Sequence, residues 1–130
     1  MQNKPDIILS AADVATIERY IEKMPHANEQ VLALENELAR AKVVKHQDLP
    51  SDVIAMGSRV TFRIAELNKE FSKTLCYPEQ LANHEDGISI FAPVGSALIG
   101  LRVGQSIDWP LNGSVRHVEI IAVSPAPVAA

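Results

Sequence analysis

A single cysteine, Cys76, stands in a chain of 130 residues, so no internal disulfide can form, and a reducing cytoplasm is the expected compartment. Positive charge is in deficit: twelve Lys and Arg face sixteen Asp and Glu, for a net charge of −4. A chain that neutralises phosphates usually carries a basic face, so direct specific DNA binding is not expected. Residues 1–57 hold six basic and nine acidic groups, and residues 58–130 hold six and seven. Long apolar runs are missing too. Ile7-Ile8-Leu9 is too short for the core of a signal peptide, and the run from Phe91 to Leu101 is broken by Pro93, Gly95 and Gly100, far short of the ~20 residues of a membrane span. No membrane association is expected. No G-x-x-x-x-G-K-[ST] cradle for nucleotide phosphates occurs. Aromatic residues number six: Tyr20, Phe62, Phe71, Tyr77, Phe91 and Trp109. What is present, 47% apolar and 22% charged residues, is ordinary for a globular domain and excludes wholesale disorder. The length admits one domain, or one domain with a small appendage.

Two hydrophobic periods divide the chain. Ser10 before Ala11-Ala12-Asp13 is a helix-start signal, because its hydroxyl can cap a free N–H and Asp13 lies near the positive helix end. Val14, Ile17, Ile21 and Met24 then recur at helical spacing. Pro25 interrupts them, Asn28 can cap a second helix, and Val31, Leu34, Leu38 and Ala41 repeat the spacing before the pattern fades near Lys45. Residues 1–45 are therefore expected to form a short antiparallel helical hairpin, its helices spanning roughly 21 and 25 Å at 1.5 Å per residue. Residues 46–52 are a polar linker. From residue 53 the period becomes two: Val60, Phe62 and Ile64 alternate with Arg59, Thr61 and Arg63, a strand with one wet face. A turn over Glu66 to Lys69, a returning strand to Tyr77, a loop over Glu79 to Gly87 and a short strand from Ile88 follow. Pro93 can open a helix through Ile99, which Gly100 ends. Strands over Gln105 to Trp109 and Val115 to Val123 flank Asn112-Gly113, a hairpin-turn pair. Residues 125–130 form a frayed tail. The fold class is α+β.

Several ordered motifs resemble one family. Met56-Gly57-Ser58-Arg59-Val60-Thr61-Phe62 and the stretch Ile90-Phe91-Ala92-Pro93-Val94-Gly95-Ser96-Ala97-Leu98-Ile99-Gly100-Leu101-Arg102-Val103-Gly104 resemble the C-terminal domain of the GreA/GreB transcript cleavage factors. With the Tyr77-Pro78 pair, they are most similar to the regulator of nucleoside diphosphate kinase (Rnk) subgroup. The chain departs from the family at Ala92, where a serine is usual, and at Gln105, where an aspartate is usual. The resemblance implies that residues 53–124 form an FKBP-like curved antiparallel sheet around one short helix. It also implies a partner, RNA polymerase, gripped at the rim of its secondary channel, with Phe91, Ala92, Pro93 and Val94 as candidate contact residues. In the cleavage factors a long coiled coil carries acidic tip residues to the catalytic metal, and that chemistry needs closely spaced carboxylates to hold a hard cation. The tip here is Pro25, His26, Ala27, Asn28 and Glu29, and Glu29 is its one acid.

The remaining candidates have simpler readings. His26, His46, His84 and His117 are scattered and read as solvated, with no metal-binding spacing. Cys76 beside Leu75 reads as a packed core thiol. Glu18 with Glu22, and Glu35 with Glu37, read as solvated faces, or alternatively as an acidic surface facing basic channel walls. Trp109, followed by Pro110, reads as partly buried. The functional expectation is a regulator that binds polymerase and competes with cleavage factors, without catalysis, cofactor or metal. The alternatives are a transcript cleavage or elongation factor, or an FKBP-like prolyl isomerase. Direct action on nucleoside diphosphate kinase would rest on the subgroup's name alone.

Overall fold

Ser10 does what its position suggests: its Oγ accepts the Asp13 N–H at 3.1 Å and caps helix α1, Ala11–Glu22. The computed structural model describes residues 6–24, 29–111 and 114–124. The expected tip residues Pro25, His26 and Asn28, the Asn112-Gly113 turn and the tail 125–130 lie outside the described residues. Helix α2 follows as Glu29–Arg40. Expected to run on toward Lys45, it stops short because strand β2, Lys42–Val44, pairs in parallel with strand β1, Ile8–Ser10. Val43 and Val44 are β-branched and favour that extended backbone.

The main sheet is mixed, not wholly antiparallel as expected. Its strands are β3 (Arg59–Ile64), β4 (Lys69–Cys76), β5 (Gly87–Ser89), β6 (Ser106–Leu111) and β7 (Ser114–Ser124), in the order β5-β4-β3-β7-β6. The antiparallel pairs are β3–β4, β3–β7 and β6–β7; β5 runs parallel to β4, because the chain crosses over through a 3-10 turn at Pro78–Asn83 instead of reversing tightly. A register shift at Thr61/Phe62 bends β3 against β7, and the sheet stays curved and open. Helix α3, Pro93–Leu98, is the short helix set against it.

One apolar core joins these parts. Ile7 and Leu9, Ile17 of α1, Val31 and Leu34 of α2, and Leu98 of α3 are buried with Val60, Phe62, Ile64, Leu75, Val118 and Ile120 of the sheet. Gly100 shows why a glycine ends α3. Its φ is +83°, a backbone that side chains rarely adopt, and an added Cβ would lie 2.8 Å from the Ile7 Cβ. The N-terminal strand thus crosses directly over the Gly100 backbone, and the Ile8 N–H donates to the Gly100 carbonyl at 3.1 Å. Among the described residues no helix is long and apolar enough to cross a membrane.

Candidate functional site

The segment from β5 into α3 is held by its own backbone and by the Ser89 side chain. The Phe91 N–H donates to Ser89 Oγ at 3.0 Å, the Ala92 N–H to the Ser89 carbonyl at 3.0 Å, and the Ser96 N–H to the Ala92 carbonyl at 3.0 Å. Pro93 occupies the first turn of α3, where its missing N–H costs nothing. Gly95 packs against this turn so closely that an added Cβ would stand 2.0 Å from the Ser89 carbonyl oxygen. The A-P-V-G motif therefore encodes a close approach between helix and turn, with small residues where the backbones meet.

The four candidate contact residues do not share one environment. Phe91 is buried, with 5% of its surface exposed, whereas Ala92 and Val94 are half-buried. Helix α1 contributes an aromatic neighbour to Phe91. The Tyr20 ring lies 6.4 Å from Phe91 and stacks on Tyr77 at 4.9 Å with an interplanar angle of 6°. The Tyr20 hydroxyl donates to the Glu79 carboxylate, and Gln80 Oε1 accepts the Tyr77 N–H at 3.0 Å. Burial, with Asp13 nearby, pushes the Tyr77 hydroxyl up to about 12. Asp13 is itself raised by burial, an effect opposed by the Met56 N–H, which donates to its Oδ2 at 3.2 Å. Sequence reasoning missed this cluster. Tyr20 sits on the buried side of α1, one position before Ile21 in the apolar stripe, and Tyr77 lies fifty-seven residues away in the chain, so no local pattern links them.

Glu29, the one described residue of the expected tip, opens α2 and is exposed. Among the described residues no three His, Cys, Asp or Glu side chains converge where a metal ion could be held. His46 and His84 are exposed, but His117 is more than a solvated histidine. Its backbone N–H donates to Glu66 Oε1 at 2.8 Å, its Nδ1 meets Glu66 Oε2, and its Nε2 lies 3.3 Å from Asp108. Glu37 likewise departs from the solvated reading: it is buried and ion-paired with Arg40 at 2.9 Å. Glu18, Glu22 and Glu35 are exposed as expected. Cys76 is the packed core thiol anticipated; its Sγ donates to the Thr74 carbonyl and burial pushes the thiol up.

Comparison with known proteins assigns both halves. Residues 49–125 match the model of the transcription elongation factor GreA/GreB C-terminal domain, and residues 5–44 match that of the Rnk N-terminus. A regulator of nucleoside diphosphate kinase from Escherichia coli K12 is 38% identical over 130 residues, taking in 98% of this chain and 96% of that protein. The transcription elongation factor GreA of Clostridium beijerinckii is 30% identical over 95 residues, 73% of this chain and 59% of its own. A solved structure of a prokaryotic transcription elongation factor GreA/GreB from Nitrosomonas europaea is 41% identical, with a TM-score of 0.76 over 94% of this chain and 100% of that one. The chain belongs to the GreA/GreB transcription factor family, among the members that carry an Rnk N-terminus.

Proposed function

We propose that the protein is an elongation-factor-like regulator of RNA polymerase, acting in the cytoplasm. It docks at the rim of the secondary channel and competes there with transcript cleavage factors without cleaving RNA. In this reading residues 53–124 are the FKBP-like body that grips polymerase, residues 46–52 are its joint, and residues 1–45 are a short helical hairpin at the channel mouth. Ala92, Pro93 and Val94 present the docking loop, and Phe91 supports that loop from beneath.

The observation that carries this reading is how little of α1 and α2 is left to project. Each is a helix of twelve residues, about 18 Å long at 1.5 Å per residue. Their inward residues Ile17, Val31 and Leu34 are committed to the common core. Delivering a second metal ion would need at least two adjacent carboxylates well beyond the body. Within residues 25–29 the sequence offers Glu29 alone. The isomerase alternative is weakened by the aromatic residues themselves. Tyr20, Tyr77 and Phe91 pack on one another, as do Phe62 and Phe71 at 5.8 Å, which leaves no ring of free aromatics among them to line a proline pocket.

Docking is tested by placing a photocrosslinking residue at position 92 and adding core polymerase. The expected result is a crosslink to the channel rim that fades as a GreA-type factor is titrated in. A crosslink that is absent, or that persists at saturating competitor, contradicts the reading.

A further inference from the structure

Away from the docking loop, α1 and α2 line a groove of about 330 Å³. Val14, Ile21 and Leu38 form its floor, and Glu18, Glu22 and Glu35 stand around it. The floor residues are half-buried and pack against the common core, so the groove is apolar at its base and fixed in shape. The three glutamates are exposed, and none meets a cationic side chain among the described residues.

Charges of one sign share a stripe on α1. Glu18 and Glu22 are four residues apart, a spacing at which like charges repel and destabilise a helix. Arg19 and Lys23 repeat the same unfavourable spacing, around a separate depression that also includes Thr16 and Tyr20. The helix thus sets Glu18 and Glu22 toward the groove and Arg19 and Lys23 toward another side.

We propose that the α1–α2 groove is a docking surface for a lysine- or arginine-bearing amphipathic segment of a partner protein. The aliphatic stems of such residues lie along Val14, Ile21 and Leu38, while their charged heads reach the three carboxylates. Nucleic acid and anionic lipid are repelled by the same carboxylates. A single metal ion is a poor occupant, since among the described residues these acids do not converge as a ligand set. The proposal holds whichever protein supplies the segment, and so does not depend on the docking-loop reading.

The test uses the full chain, methyl-labelled for NMR and titrated with a synthetic amphipathic Leu/Lys helical peptide. The expected shifts concentrate at Val14, Ile21 and Leu38. The triple variant E18Q/E22Q/E35Q then binds about tenfold more weakly or worse, as loss of close charge complementarity requires. A control variant, E70Q/E85Q/E119Q, removes three exposed acids elsewhere and leaves the affinity unchanged. Because the groove substitutions relieve repulsion at exposed positions, the variant also stays folded, with an unchanged or raised Tm. The proposal is overturned if the control weakens binding equally, if the shifts spread over the sheet, or if spermine, a polycation without an apolar face, shifts the same methyls as strongly. It is overturned too if the groove proves to be filled by a second copy of the chain in solution.

Discussion

In the body, β3 is joined to β4 and β6 to β7 by six consecutive residue pairs each, so the strands are located mainly by backbone ladders. The root of α1 is held differently. Ile17 enters the common core, Asp13 accepts the Met56 N–H, and Tyr20 stacks on Tyr77 above Phe91. A ladder tolerates most changes of exposed side chain, because its hydrogen bonds belong to the backbone. Although backbone bonds hold β1 ahead of it, α1 itself is fastened by a few side chains that can be loosened one residue at a time. The helical segment is therefore the more tunable part of the molecule, and one of its attachments, Tyr20, packs beside Phe91 at the start of the proposed docking loop.

That contrast can be broken or sharpened by substitution. Phe62→Ala, in the middle of β3, should cost about 3–5 kcal/mol as a large core truncation. Because one core serves both regions, a denaturant titration should show the helices and sheet lost together; a surviving helical transition would argue against a shared core. Tyr20→Ala should cost about 1–2 kcal/mol through lost apolar contact and stacking. Its faster amide exchange should be confined to α1 and the Tyr77–Phe91 region, with β3 and β7 unchanged. Asp13→Ala should cost about 1 kcal/mol, since it leaves the Met56 N–H without its acceptor. Loss of protection at Met56 in hydrogen exchange would identify that bond as the cause.

The smallest expected effects are those of pH, and they separate the two regions. At the end of the sheet, His117 is raised above 6.5 by its hydrogen bond to Glu66 and the adjacent carboxylates, while Glu66 is lowered to about 2, chiefly by the His117 backbone N–H. The His117 contribution is complete below pH 6.5 and fades as pH rises through its folded value. The Glu66 contribution is complete above about 4.5 and fades as pH falls toward 2. Their contact should therefore help most between these limits, and a Glu66→Gln variant should reduce the upward displacement of the His117 titration seen by NMR, leaving the part due to Asp108. At the root of α1, Tyr77 stays protonated in the folded state up to about 12. Stability there should fall between its ordinary value near 10 and 12, first in α1, a sequence that circular dichroism and tyrosine absorbance can follow together.

Much of this architecture is legible in sequence because its signals are local. The alternation of Val60, Phe62 and Ile64, the Ser10 cap, and Pro93 before a helix closed by Gly100 each depend on a few neighbouring residues, and each appears where local chemistry places it. What was hidden depends on distant partners. Lys42–Val44 becomes a strand only because Ile8–Ser10 lies beside it, and β5 runs parallel only because the 3-10 turn carries the chain across. The same holds for Phe91. A-P-V-G marks the loop, but nothing nearby in sequence says that Tyr20 will pack beside the phenylalanine. His117 and Glu66, fifty-one residues apart, carry no sequence signature of their contact either.

The central claim is that the protein occupies a polymerase channel without supplying cleavage chemistry. RNA length in backtracked elongation complexes with magnesium, first with the protein alone and then with a GreA-type factor added, tests it most directly. The account predicts intact RNA in the first case and suppressed cleavage in the second as the protein reaches excess. Robust cleavage by the protein alone, abolished by Glu29→Ala, or undiminished cleavage by the added factor, would contradict it.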